Sequence, residues 1–291
     1  MFAFLRALIS TIAVMLVAQP LVADPIGDDA KELPIFDAHV HYKEPAWGPY
    51  PPGTVIELMN KAGVAMALVS STPDDGTIML YEHAPNRIIP EVRPYHGGWG
   101  SSNWTRSPDM IDYLRDRLDT YPHVGIGEFH VHSIDKTDDA FLRQVASLAA
   151  ERKMLIHVHS DENAVQFFYD VEPDLTIIWA HAGMSSPPDM IKGMMDKYQT
   201  LYADLSYREH EILGADDIEP AWKKLLTKHS DRFMVGSDTW ANEQWANYVG
   251  LITDNRRWIE HFPRGLAEKF AYKNAEKLFG IKVSKDLIGK N

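Results

Sequence analysis

The chain contains no cysteine. That excludes disulfide scaffolds, thiolate metal sites and cysteine nucleophiles together, and leaves no thiol to oxidise in an oxidising compartment. Cations are also scarce. Lys and Arg number 29 against 41 Asp and Glu, a net charge of −12, and such a field repels polyanions, so no nucleic-acid partner is expected. No Lys/Arg run, low-complexity tract or internal repeat breaks the 291 residues, and beyond residue 23 no apolar run is long enough for a membrane span. What is present is ordinary for a globular protein with a large core: 45% hydrophobic and 24% charged residues. The length suits one α/β barrel plus an appendage.

The appendage is the first segment. From Ala7 to Ala23 the chain is uncharged, after a start whose one cation is Arg6, and a short apolar stretch ends in Leu-Val-Ala before Asp24. This pattern predicts a secretory signal at 1–23, cut after Ala23, and hence an exported protein, periplasmic or secreted. Residues 24–291 are then the folded unit.

Eight short apolar, β-branched runs recur along that unit, at 35–41, 64–71, 88–95, 124–130, 154–159, 175–181, 200–206 and 232–238. Several are apolar on both faces, as buried parallel strands are. Helix-like segments separate them, and a helical tail runs from about Pro263 to Phe279. Eight alternations predict a single (β/α)8 TIM barrel, with an open doubly wound sheet as the alternative. Links from helix to strand are short, whereas several from strand to helix are long (42–53, 96–107, 207–219). In a barrel those long links share the C-terminal face, where active sites are built.

Ionisable residues gather at the same ends. His39, His41, His130, His157, His159 and His181 end or nearly end proposed strands, and Glu128 and Asp238 join them. Each alone is unspecific: His-x-His occurs three times, a strand histidine can sit in the core, and an Asp before a helix can cap it. Helix caps and core histidines do not, however, account for candidate ligands at one rim from strands 1, 4, 5, 6 and 8. Imidazole with carboxylate makes a site suited to a divalent metal, Zn²⁺ first, with Mn²⁺ or Fe²⁺ as alternatives.

The motifs FDAHVHY, IHVHSDENA, WAHAG and VGSDTW, with the tail KNAEKLFG, resemble the amidohydrolase superfamily, in its amidohydrolase-related branch of metal-dependent TIM-barrel hydrolases, over about residues 35–280. The resemblance implies His39 and His41 as a ligand pair and His159 as the strand 5 ligand, with His157 one pleat deeper as the alternative. It further implies His181 as a second-metal ligand or substrate contact, and Asp238 as ligand and proton carrier. Glu128 resembles the bridging glutamate of TatD-type deoxyribonucleases, and one metal is favoured over two.

The expected reaction is metal-assisted hydrolysis of a small ester, lactone or amide, with Asp238 and His181 as catalytic groups. A decarboxylase of the same superfamily and a non-catalytic metal-binding or ligand-binding barrel are the alternatives. Arg93 and Arg208 are candidates to hold a substrate carboxylate, and Trp99 and Trp240 to wall the pocket, which leans toward an anionic or cyclic substrate. A small molecule is the expected partner, and homo-oligomerisation stays open.

Overall fold

In this computed structural model, residues 23–289 are described. The signal sequence expected at 1–23 therefore lies almost wholly outside the described residues. Eight parallel strands follow in order: β1 (Ile35–Val40), β2 (Val64–Val69), β3 (Ile88–Pro90), β4 (Gly125–Val131), β5 (Leu155–Ser160), β6 (Ile177–Trp179), β7 (Leu201–Asp204) and β8 (Phe233–Met234). β1–β2–β3 form one hydrogen-bonded set and β4 to β8 the other. Backbone bonds join the two sets at both seams. Val92 N–H reaches Gly125 O at 3.0 Å and Gly127 N–H reaches Val92 O at 2.8 Å. On the opposite side, Ala38 N–H reaches Val235 O at 2.8 Å and Asp238 N–H reaches His39 O at 2.7 Å. The strands thus make the expected barrel.

Helices cover the outside through apolar faces of helical period. Lys136–Glu151 buries Phe141, Leu142, Val145, Ala146, Leu148 and Ala149 against the strands. It begins at a capping box in which Asp135 accepts from Thr137 N and Asp138 N. Helix-to-strand turns are tight. Gly63, at φ 71°, closes Pro52–Ala62 in the left-handed conformation and β2 starts at the next residue.

The lumen is layered. At its lower end Phe36, Ala38, Met66, Leu68, Leu155, Ile178, Tyr202 and Met234 form one apolar cluster, which the tail residues Ala275 and Val283 join. Above it the lining turns polar. The change on β1 coincides with a register irregularity between Asp37 and Val40. Such a slip exchanges inward and outward faces, so Phe36 and Ala38 face in below it and His39 and His41 face in above it.

β3, β6, β7 and β8 are much shorter than the apolar runs suggest. β3 stops at Pro90 and β8 at Met234, although Val92 and Val235 still bond to neighbouring strands, and β6 stops at Trp179, where the chain leaves the ladder. After β6 the departure is abrupt: His181, Ala182, Gly183 and Met184 all have positive φ, from 48° to 79°. The described residues contain no helix long and apolar enough to cross a membrane.

Candidate metal and active site

A cavity of about 510 Å³ opens at the C-terminal ends of the strands, lined among others by His41, Lys43, Arg93, Glu128, His130, His159, Tyr207, Asp238 and Trp240. His39 and His41 meet at its floor with Nε2 atoms 3.1 Å apart. Their other nitrogens are engaged. His41 Nδ1 donates to Ser70 O at 2.6 Å, and His39 Nδ1 lies 3.2 Å from Asp204 Oδ2. A carbonyl can only accept, so the proton of neutral His41 sits on Nδ1 and its Nε2 lone pair faces His39. His181 repeats the arrangement. Its Nδ1 donates to Ser206 O at 3.1 Å, and its buried Nε2 has no hydrogen-bond partner among the described residues.

Carboxylates complete the cluster. Asp238 Oδ1 stands 3.4 Å from His41 Nε2 and 3.7 Å from His39 Nε2, and Asp238 Oδ2 is 3.7 Å from His181 Nε2. Glu128 Oε2 is 3.4 Å from His41 Nε2. A tetrahedral metal with ligand bonds of about 2.0–2.1 Å separates its ligands by about 3.3 Å. The observed spacings bracket that edge, and two imidazole Nε2 atoms facing one another at 3.1 Å suit a shared cation. The residues therefore fit a divalent metal ion, with His39, His41 and Asp238 as one compact group and His39, Glu128 and His181 as an overlapping one.

Electrostatics follow from the packing. Burial opposes charging of His39, but Asp204, Asp238 and Glu128 outweigh it and hold the ring up at about 10. Burial and the cations Arg93 and His39 push His41 down to about 4. His181 is lowered chiefly by burial. Burial works against ionised Glu128, yet Arg93, His159 and His41 hold its carboxyl well below the usual range.

The remaining candidates separate by position. His159 lies at the cavity wall, its Nδ1 2.7 Å from Glu128 Oε1 and its ring stacked on His130 with centroids 4.2 Å apart. Glu128, His130 and His159 form a further group able to hold an ion. His157 lies one pleat below, with Nδ1 3.1 Å from Glu91 Oε2 and Nε2 3.4 Å from Asp204 Oδ2. Arg93 faces the cavity, but Nε donates to Glu128 O at 2.8 Å and Nη2 to Glu128 Oε2 at 2.5 Å, so that edge is occupied.

Arg208 is outside the cavity lining. Fully buried, it donates to the carbonyls of His181 (3.0 Å) and Ser186 (2.8 Å) and pairs with Glu211. It braces the left-handed turn rather than facing a ligand. Trp99 is likewise off the wall, packed against the outer apolar core, whereas Trp240 lines the cavity and is 52% exposed.

Several site neighbours escaped the sequence reading. Asp204 and Glu91 are buried ionisable residues at the upper end of apolar runs, the same signature that exposed His39. Tyr207, at φ 60°, places its hydroxyl 3.0 Å from Asp238 O, and Lys43 supplies a cation beside Trp240.

The structure superposes on a lactonase from Listeria monocytogenes with a TM-score of 0.60, at 13% identity over 90% of this chain and 99% of that one. A phosphotriesterase homology protein from Escherichia coli, complexed with phosphate in its active site, gives 0.57 at 12% identity over 87% and 99%. A TatD-like protein from Archaeoglobus fulgidus gives 0.53 at 15% identity over 84% and 100%. Identities this low show a shared fold and no more. No curated protein sequence matches the chain. The family model described as amidohydrolase, however, matches residues 36–281, which takes in β1 from its second residue, the other seven strands and every site residue described above. The chain belongs to the amidohydrolase family.

Proposed function

We propose that this protein hydrolyses a small ester, lactone or amide, anionic or cyclic, using one divalent metal ion held by His39, His41 and Asp238, with Zn²⁺ the first candidate. The observation that carries the reading is the convergence of three imidazole Nε2 atoms and two carboxylates, from four strands, on one point at the cavity floor. When bound, such an ion would supply electrophilic activation of water and of the substrate's carbonyl oxygen.

The chain's own groups do the rest. Asp238, 8% exposed, borders both the ring cluster and the open cavity, and takes the proton of the attacking water and returns it to the leaving group. His181 keeps its Nε2 lone pair directed at Asp238, because the Ser206 carbonyl holds the proton on Nδ1 and burial favours the neutral ring. It thus acts as a lone-pair donor in the cluster rather than as a hydrogen-bond donor to substrate. Arg93 balances the charge of Glu128, which supports a single ion, since a carboxylate so paired is a weaker bridge. His159 and Lys43 present polar groups on the wall, and Trp240 gives it an aromatic edge.

The apolar leader and the lack of cysteine support an exported protein, periplasmic or secreted. The names of the Listeria and Escherichia coli neighbours support including lactones and phosphotriesters among the trial substrates.

The test is metal content by elemental mass spectrometry on native protein and on Glu128→Gln, with turnover of a lactone, aryl ester and phosphotriester panel before and after chelation. One equivalent in both proteins, and turnover lost on chelation and restored by metal, is the expected result. Two equivalents falling to one would make Glu128 a bridge. Release of CO₂ from an acid substrate without water incorporation would replace the hydrolase by a decarboxylase, and no metal after reconstitution would end the reading.

A further inference from the structure

Directly beneath the site, one ring of the barrel lumen is built from ionisable side chains alone. β1 contributes His39, the residue after β3 contributes Glu91, β5 contributes His157 and β7 contributes Asp204, each no more than 1% exposed. Alternate strands supply such layers in eight-stranded barrels, ordinarily with branched apolar residues. Here they form a chain across the lumen. Glu91 Oε2 is 3.1 Å from His157 Nδ1, His157 Nε2 is 3.4 Å from Asp204 Oδ2, and Asp204 Oδ2 is 3.2 Å from His39 Nδ1.

Asp204 is the hub. Its Oδ2 also accepts the backbone N–H of His181 at 3.2 Å, and its Oδ1 accepts from Ser206 N at 3.0 Å and from the Ser206 hydroxyl. The chain just after β8 leaves room for it: a Cβ on Gly236 would fall 2.8 Å from Asp204 Oδ1 and 3.0 Å from His39 Cβ.

We infer that Glu91, His157 and Asp204 are positioning residues that hold His39 in the orientation the metal requires, an inference that rests on the proposed metal site. An acceptor at Nδ1 keeps a proton there, so Nε2, which faces His41 and Asp238, is the nitrogen left to bind a metal. The same carboxylate fixes the backbone of His181, so one buried group sets two members of the cluster from opposite sides. His157 joins Asp204 to Glu91 and keeps the Glu91 carboxylate from standing unpaired in the interior, where loss of one partner is costly. This assigns His157 a role distinct from that of His159, which faces the open cavity.

The experiment compares Asp204→Asn and Glu91→Gln with wild type, as full-length protein. Co²⁺ affinity is measured by chelator competition, the visible spectrum of the Co²⁺ protein is recorded, and the thermal midpoint is taken without metal. Asp204→Asn is expected to weaken Co²⁺ binding about 10–100-fold and to alter the spectrum. Glu91→Gln, which touches no proposed ligand, is expected to give a smaller loss of the same sign with its thermal midpoint little changed. Should Asp204→Asn not fold, Glu91→Gln decides. Wild-type affinity and spectrum in Glu91→Gln, and in Asp204→Asn where it folds, would overturn the inference while leaving the metal site standing. Failure of the wild type itself to bind Co²⁺ would remove the site and this inference with it.

Discussion

At the N-terminal ends of the strands a cavity of about 570 Å³ is walled by Val124, Met154, Leu155, Leu175 and Phe279, with Arg152, Lys153, Glu172 and Asp174 around it. At the opposite ends the cavity is about 510 Å³. Size therefore does not tell the two apart, and the larger one lies away from the chemistry. Backbone conformation does. Of the non-glycine residues with positive φ among those described, His181, Ala182, Met184, Tyr207 and Asp238 belong to the C-terminal rim and only Lys153 to the other end. Left-handed backbone costs an L residue roughly 1–2 kcal/mol, and it persists where surrounding structure enforces it. The rim carries that strain together with converging lone pairs, while the lower cavity has side chains of both charges that do not converge.

The largest effect is expected from the strained carboxylate. Asp238→Asn should keep much of its metal yet lose about 10²–10⁴-fold in turnover, the range for a general acid–base group, as measured by kcat alongside elemental analysis. An unchanged kcat would take the proton-carrier role from Asp238 and make the two ends harder to distinguish.

Next comes the left-handed turn. At Gly183 (φ 79°) a Cβ would lie 2.3 Å from Trp179 Cζ2, and the Trp179 indole is held by Ser160 O at 2.8 Å, so the ring cannot swing away freely. Gly183→Ala should cost about 1–3 kcal/mol in urea unfolding and lower metal affinity, because His181 moves with the turn. Full stability would mean the turn has slack.

Arg208→Met and Arg93→Met sharpen the contrast within the rim itself. Losing the Arg208 donors leaves buried carbonyls unsatisfied, at about 1–3 kcal/mol, with KM little changed in the fraction that folds. Arg93→Met should change KM or metal affinity instead. The reverse pattern would make Arg208 the substrate contact.

At the other end, Lys153→Gly removes the one strained residue there (φ 55°). It should leave activity untouched and raise stability by up to about 1 kcal/mol. The smallest effect concerns pH. Asp135 is lowered to about 2 by Arg106 and by the N–H groups of the helix it caps. Between its ordinary value near 3.8 and about 2 the folded state binds fewer protons than the unfolded chain. Its contribution is thus complete above about pH 4 and fades as pH falls toward 2, and Asp135→Ala should flatten the stability profile in that interval only.

Much of this arrangement was legible in the sequence. Eight apolar runs predict eight strands because parallel strands are buried on both faces, and His39, His41, Glu128 and Asp238 stand out because ionisable residues at strand ends interrupt those runs. Pleat parity could not separate His157 from His159, since residues two apart face the same way. What divides them is depth, set by partners on β3 and β7 that lie far away in sequence. The slip in β1 that turns His39 inward leaves no trace in composition. Arg208 and Trp99 were misleading for a related reason: loop residues take their direction from tertiary contacts, which no spacing encodes. Asp204 and Glu91 passed unnoticed because a single acid in a strand reads as an ordinary ion pair.

Trp240 has a practical consequence. Trp104, Trp179, Trp222, Trp245 and Trp258 are buried and Trp47 and Trp99 half-buried, leaving Trp240, at 52% exposure, alone in water and at the mouth of the cavity. Its emission should therefore fall to the red of that from the buried indoles, a shift that a fluorescence spectrum of wild type against Trp240→Phe would read. A ligand entering the cavity should then change that emission, a gauge of occupancy readable with no label and before any substrate has been identified.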